Sequence, residues 1–172
     1  SCRFTHRAID AVLALREKYG GRELRAIECA SDPLGLSILI YPEPRTGLEA
    51  KFSLQYCVAI AWLAGWPGLD AFSDARATAA DVQALLRRVR VRSTRSADEE
   101  VELIFSDGTR ASESVRIARG HPRNPLSDAQ REAKLALCLE PALGVQRARA
   151  LVDAFASLES IRDVRDLAGR IA

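Results

Sequence analysis

Glu99-Glu100-Val101-Glu102-Leu103-Ile104-Phe105-Ser106-Asp107-Gly108-Thr109-Arg110 is where the chain stops reading as helix and starts reading as sheet. Val101, Leu103 and Phe105 alternate there with Glu100, Glu102 and Ile104, the period of two expected of a pleated strand with one buried face. Asp107-Gly108 is a turn signal, because glycine supplies the positive φ that a tight hairpin needs, and Arg110 to Ile117 reads as the returning strand. Just upstream, Val89-Arg90-Val91-Arg92 alternates apolar with basic, the pattern of a strand at a solvated sheet edge. Residues 89–117 are therefore predicted to form an antiparallel meander covered by helices on one face. With helical segments on either side, the chain is expected to be α+β.

Working outward, Thr5 is placed to cap a helix whose Ile9, Val12, Leu13 and Tyr19 recur at helical spacing, with Gly20-Gly21 to end it. Arg22 to Ala30 reads as a strand, and Gly35 to Tyr41 as a second extended segment closed by Pro42 and Pro44. The stretch Gly47-Leu48-Glu49-Ala50-Lys51-Phe52-Ser53-Leu54-Gln55-Tyr56-Cys57 then sets a polar cluster before the apolar run Val58 to Ala64. That arrangement predicts a helix buried nearly all round that enters through Glu, Lys, Ser and Gln. Such an entry either holds polar groups rigidly in a cleft or is an ordinary amphipathic helix end. Gly65, Pro67 and Gly68 break the run, and Thr78 is expected to start another helix with Val82, Leu85, Leu86 and Val89 in step.

Arg119 to Asp128 interrupts all periodicity with a glycine, two prolines and a serine suited to capping, so a domain crossing is expected here, dividing the chain into 1–124 and 125–172. Beyond it a helix should run from Ser127 to about Cys138. A second is carried by Leu151, Val152 and Phe155, and a third by Ile161, Val164, Leu167 and Ile171. Three short helices in fewer than about fifty residues bury too little to form a core alone. They are expected to belong to a helical body that this sequence does not contain.

In the 172 residues, 28% are charged and 48% apolar, an ordinary globular balance, and a net charge of +2 from 25 basic and 23 acidic residues leaves no basic face for nucleic acid. The one basic run, Arg87 to Arg92 with Arg95 nearby, is the predicted sheet edge. Cysteines at 2, 29, 57 and 138 form no C-x-x-C pair, so neither a metal site nor a cofactor is expected, and their wide spacing suits a reducing, cytoplasmic compartment. Cys57 and Cys138 are expected to be small buried hydrophobes. The longest apolar run is too short to span a bilayer, which argues against a membrane. A chain without methionine that opens at Ser1 is expected to be a piece of a larger polypeptide.

Five segments carry a family resemblance and fall in family order: Cys2-Arg3-Phe4-Thr5-His6-Arg7-Ala8-Ile9-Asp10-Ala11, Asp32-Pro33-Leu34-Gly35-Leu36, Pro44 to Tyr56, Gly68-Leu69-Asp70-Ala71-Phe72, and Gly120-His121-Pro122-Arg123-Asn124-Pro125-Leu126-Ser127. Together they resemble the C-terminal part of the MmgE/PrpD family. The resemblance implies an α+β lid domain, residues 1–124, with helices packed on an antiparallel sheet. It also implies that residues 125–172 return to an otherwise absent all-helical domain of the same polypeptide, and that the whole enzyme is a homodimer. It further implies small di- or tricarboxylate substrates and no required metal, as in 2-methylcitrate dehydratase, cis-aconitate decarboxylase and iminodisuccinate epimerase. Their shared demand is proton transfer next to carboxylates, which needs cations to hold the substrate and a tuned acid and base.

Carried over residue by residue, His6 matches the histidine of the family's T-H-x-x-I-D run and is the expected catalytic residue. At a helix N-terminus an imidazole is favoured in its neutral form, which suits a base or hydrogen-bonding partner, although a structural histidine fits as well. Lys51 matches the basic position of E-A-[KR]-x-S and is expected to clamp a substrate carboxylate, as is Arg45 in the preceding loop. Ser53 and Gln55 are expected either to hydrogen-bond substrate or to cap the helix. Tyr41 falls near a lid tyrosine of the decarboxylase branch. Cys2 stands where that branch has a catalytic histidine, which puts itaconate formation in doubt and leaves a nucleophile, a weak acid or a plain thiol. His121 is read as structural. The expected activity is a 2-methylcitrate dehydratase-like lyase, with epimerisation of an aspartate-derived diacid as the alternative; the fragment alone is expected to be inactive. A non-catalytic assembly or binding module is the reading from a different class.

Overall fold

Ala8, Ile9, Ala11, Val12 and Leu15 fall on one stripe of a helix and are the buried face of α1, His6–Tyr19, in a computed structural model that describes residues 1–169. A 3-10 turn, Arg3–Thr5, leads into it. That turn is why Thr5 does not cap α1 as expected: its backbone is already helical, and its hydroxyl donates back to the Cys2 carbonyl at 2.8 Å. The remaining elements of the first half are β1 (Leu24–Ser31), α2 (Pro33–Ile38), α3 (Gly47–Ala50), α4 (Leu54–Ala64), a 3-10 turn at Asp70–Phe72, α5 (Asp74–Ala77), α6 (Ala80–Leu86), β2 (Val89–Ser93), β3 (Glu99–Phe105) and β4 (Arg110–Val115).

The four strands form one sheet in the order β2-β1-β3-β4. β3 and β4 pair antiparallel around Gly108, at φ 84°, as the turn signal predicts. The expectation of a meander over 89–117 fails at β2, which pairs parallel to β1 with Ile27 opposite Val89. β1 also pairs antiparallel with β3, Cys29 opposite Val101, so the sheet is mixed rather than antiparallel. The physical reason lies in burial. β1 is enclosed along most of its length and needs a partner on each edge, whereas β2, with exposed Arg90 and Arg92, can serve only as an edge. The α+β class holds.

Two local expectations are corrected by capping chemistry. The extended segment expected over 35–41 is helical as far as Ile38, the end of α2, because Asp32 accepts a hydrogen bond from the Gly35 amide at 2.8 Å and Pro33 occupies the first turn, where its missing N–H costs nothing. The predicted single helix entered through Glu49 is two. Thr46 caps α3 by accepting from the Glu49 amide, and then Ser53, in extended backbone, restarts the chain as α4 by accepting from the Tyr56 amide at 3.1 Å. Downstream, Thr78 ends α5 instead of opening α6, its hydroxyl donating to the Asp74 carbonyl, and Val89 belongs to β2.

The core lies between one sheet face and the helices. Ile27, Cys29, Val101, Leu103 and Phe105 meet α1 and α4, and α4 is enclosed from Tyr56 to Ala61. Each fully buried large side chain there contributes about 1.5–3 kcal/mol. The opposite sheet face is charged, with Arg90 against Glu28, Arg92 against Glu100 and Arg110 against Glu102.

Backbone packing divides the chain into Ser1–Asn124 and Pro125–Ala172. In the second unit, Ser127 and Gln130 form a reciprocal capping box that opens α7 (Asp128–Leu143), which runs past Cys138 and through Pro141. α8 (Val145–Ala156) and α9 (Val164–Gly169) follow, and Leu151, Ala154 and Leu167 pack together with Leu139, Leu143 and Ile161. Cys138 is exposed, not buried as its apolar neighbours suggested. Ile171, assigned above to the last helix, lies outside the described residues.

Gly47 makes the closest backbone approach in the first unit: a Cβ there would lie 1.8 Å from the Phe72 carbonyl oxygen. Gly47→Ala is therefore expected to cost about 3 kcal/mol or more in urea unfolding of the chain, and an unchanged midpoint would show that the 47–72 contact yields freely.

Candidate functional site

Two helix starts meet near the beginning of the chain. The Cys2 amide donates to the Lys51 carbonyl at 2.9 Å, which fastens the turn before α1 to the junction of α3 and α4. The Thr5 and Ser1 hydroxyls lie against the Cys57 thiol, which donates to the Ala50 carbonyl at 3.5 Å. Burial pushes that thiol up to about 12, with the two hydroxyls pulling weakly the other way. It is therefore an inert filler of the joint and not a nucleophile. His6, exposed, is the first residue of α1, and Lys51, half-buried, follows α3 as its C-cap.

The remaining expected residues separate by what holds them. Ser53 is fully enclosed and its hydroxyl caps α4, so of its two readings capping is the role the structure gives it. Gln55 is half-buried in the first turn of α4. Arg45 is exposed, and its backbone amide donates to the Glu49 carboxylate at 2.6 Å. Neither the Lys51 ammonium nor the Arg45 guanidinium makes an ion pair among the described residues, whereas half of the arginines of this unit do. An unpaired cation is the state from which a carboxylate can be bound without first breaking a bridge. Tyr41 is exposed on the loop after α2 and shares no hydrogen bond with the others among the described residues. Cys2 is half-buried with a free thiol.

Two acidic residues inside the quoted motifs carry structure that the sequence reading missed. Asp10 is nearly buried and accepts from both the Arg119 amide at 2.7 Å and its Nε at 2.9 Å, while the guanidinium lies 5.0 Å from the centre of the Trp66 ring. This ties α1 to the 117–124 segment. There the His121 Nδ1 accepts from the Arg123 amide at 3.1 Å and Asn124 donates to the Ile117 carbonyl at 3.0 Å, so His121 orders a turn. Asp32, besides capping α2, accepts from Arg7 at 3.0 Å. Arg7 also donates to the Ala97 carbonyl and lies 3.2 Å from Glu99. The available signal was parity: Glu99 sits in step with Val101, Leu103 and Phe105, on the side of the strand where a charge is least expected.

Residues 1–160 match the family model described as the MmgE/PrpD C-terminal domain. The chain belongs to the MmgE/PrpD family. Members of MmgE/PrpD are generally enzymes of dehydratase or lyase type, and the match spans both units of this chain. No curated protein matches it. Among the described residues no helix is long and apolar enough to cross a membrane, and no group of three or more His, Cys, Asp or Glu is placed to hold a metal ion.

Thiol labelling of the native MmgE/PrpD chain should modify Cys138 fast and Cys2 more slowly, leaving Cys29 and Cys57 blocked until denaturation; early labelling of Cys57 would show that the joint between the two helix starts opens. Asp10→Ala should cost about 2 kcal/mol in unfolding experiments, less than a wholly buried pair because Arg119 keeps contact with water. A loss below about 0.5 kcal/mol would remove the Asp10 bridge from the account.

Proposed function

We propose that this chain supplies the α+β lid and the returning helices of an MmgE/PrpD-type enzyme that acts on a small di- or tricarboxylate, most closely a 2-methylcitrate dehydratase-like lyase. The observation that carries the reading is the Cys2 to Lys51 backbone bond. It fastens the turn that leads to His6 against a segment with an unpaired lysine, and Arg45 offers a second unpaired cation before the same helix. Lys51 and Arg45 would hold substrate carboxylates, and His6 would take or return the proton next to one of them. Gln55, Tyr41 and Cys2 would complete the substrate contacts. Such a set is half of a cleft, and the helical domain of the same polypeptide would provide the other half. Leu34, Ile40, Leu48 and Phe52, exposed on the same stretch of chain, offer apolar surface for it. The enzyme would work in the cytoplasm as a homodimer without a metal.

The test is the full-length polypeptide, incubated in deuterated water with a panel of citrate-like acids and aspartate-derived diacids. Loss of water with deuterium uptake is the expected result, whereas exchange without loss of water would transfer the assignment to epimerisation. His6→Ala should slow turnover by about 10²–10⁴-fold and Lys51→Ala should raise KM, both with an unchanged fold. Wild-type rates in both variants would remove these residues from the mechanism.

A further inference from the structure

Glu99 opens β3 on its apolar side and is wholly enclosed. Neither carboxylate oxygen accepts a hydrogen bond among the described residues. Its cationic neighbour is Arg7, whose Nη2 lies 3.2 Å from Oε2, and the same nitrogen lies 3.0 Å from Asp32 Oδ2. Two carboxyl groups therefore share one guanidinium nitrogen. Asp32 has a further partner and contact with solvent, since its other oxygen accepts from the Gly35 amide and its side chain is 28% exposed. Glu99 has neither advantage, which disfavours its charged form. Burial pushes its pKa up and the Asp32 charge adds to this, against a downward pull from Ser31 and Arg7.

Among the other groups around Glu99, the Ser31 hydroxyl is the one that favours its charged form. From β1 come the Ser31 hydroxyl and the Cys29 thiol, itself pushed up by burial and by the Glu99 charge. β4 sets Val115 opposite in the ladder. Asp98, next in sequence, is paired with Arg116 at 3.6 Å.

We propose that Glu99 is a positioning residue: through Arg7 it holds the first turn of α1, and gain or loss of its proton changes how Arg7 divides among Glu99, Asp32 and the Ala97 carbonyl, and with that the setting of His6. With Glu99 neutral, Arg7 is left to Asp32 and to the Ala97 carbonyl at 2.8 Å. Once ionised, Glu99 makes the stronger claim on Nη2, because a buried charge without a partner is costly. His6 and Arg7 are consecutive in one helical turn, so a displacement of one moves the other. The value of this for catalysis rests on the role proposed above for His6; the coupling itself does not.

The chain has two histidines, His6 and His121, so a ring-proton titration by NMR reads the coupled site and carries its own control. In the unaltered chain the Glu99 carboxyl carbon should titrate above the ordinary glutamate value of about 4.3. The His6 signal should bend at that same pH, and His121 should not. Glu99→Gln should abolish the bend at His6 and leave the His121 curve in place. Stability should follow the same proton. A carboxyl whose folded pKa is raised favours the folded state below about 4.3 and loses that contribution as pH climbs through the folded value, so the glutamine variant should flatten the decline. Asp32→Asn supplies a second arm should Glu99→Gln not fold: with the competing charge gone, the Glu99 titration should move down. An ordinary Glu99 pKa, a bend at His6 that survives Glu99→Gln, or a Glu99 titration unmoved by Asp32→Asn would each overturn the proposal. All readouts are chemical shifts or unfolding midpoints, so an enzyme that turned over without His6 would leave them unchanged.

Discussion

β1 has neighbours on both edges and burial along most of its length, and the rest of the first unit is arranged around meeting that demand. A strand paired parallel on one side cannot be reached by a tight turn. The chain must leave the sheet and cross back over it. Residues 32–88 are that crossover, and they hold α2 through α6. The segment with Arg45, Lys51 and Gln55 exists where it does because β2 has to return alongside β1. A purely antiparallel meander would have had no need of it.

The crossover is held in shape by a few contacts of its own. The Tyr56 hydroxyl, deep in α4, donates to the Ala71 carbonyl, and Gly47 lies flat against the backbone at Phe72 and donates its amide to Asp74 at 2.7 Å. Burial moves the Tyr56 phenol up to about 12, so it is a permanent donor at this joint. These bonds make 47–74 a closed loop with α4 as its buried member. The half-buried Lys51 and Gln55 at the mouth of α4 are thus carried by a rigid support, which is what a binding group needs and what a loop alone does not give.

The sequence made some of this legible and hid the rest for identifiable reasons. The β3–β4 hairpin was readable because Asp107-Gly108 leaves few alternatives and Val101, Leu103 and Phe105 recur with a period of two on its first side. The buried run of α4 was readable because nothing polar interrupts it. Strand neighbours were not: parity says which face of β2 is buried but not which strand it lies beside. Pro33 and Ser53 were read too weakly as capping signals, so an apolar run became a strand and two helices became one. At the candidate site, residue types named Lys51 and His6 through motif positions. No pattern in the sequence told that Asp10 would reach Arg119, a contact between residues more than a hundred positions apart. Glu99 could have been found, since a glutamate in phase with three core residues announces an unusual environment.

The charged face of the sheet has a consequence for how the strands depend on one another. Glu28 and Glu102 stand directly opposite on β1 and β3, an arrangement that repels. Arg90 reaches Glu28 from β2 and Arg110 reaches Glu102 from β4, while Arg92 spans Ala30 to meet Glu100. Each bridge is weak singly. Together they mean that the two inner strands are electrostatically balanced only when both outer ones are present. The sheet is therefore a four-strand cooperative unit whose two-strand halves would each carry an unmet charge.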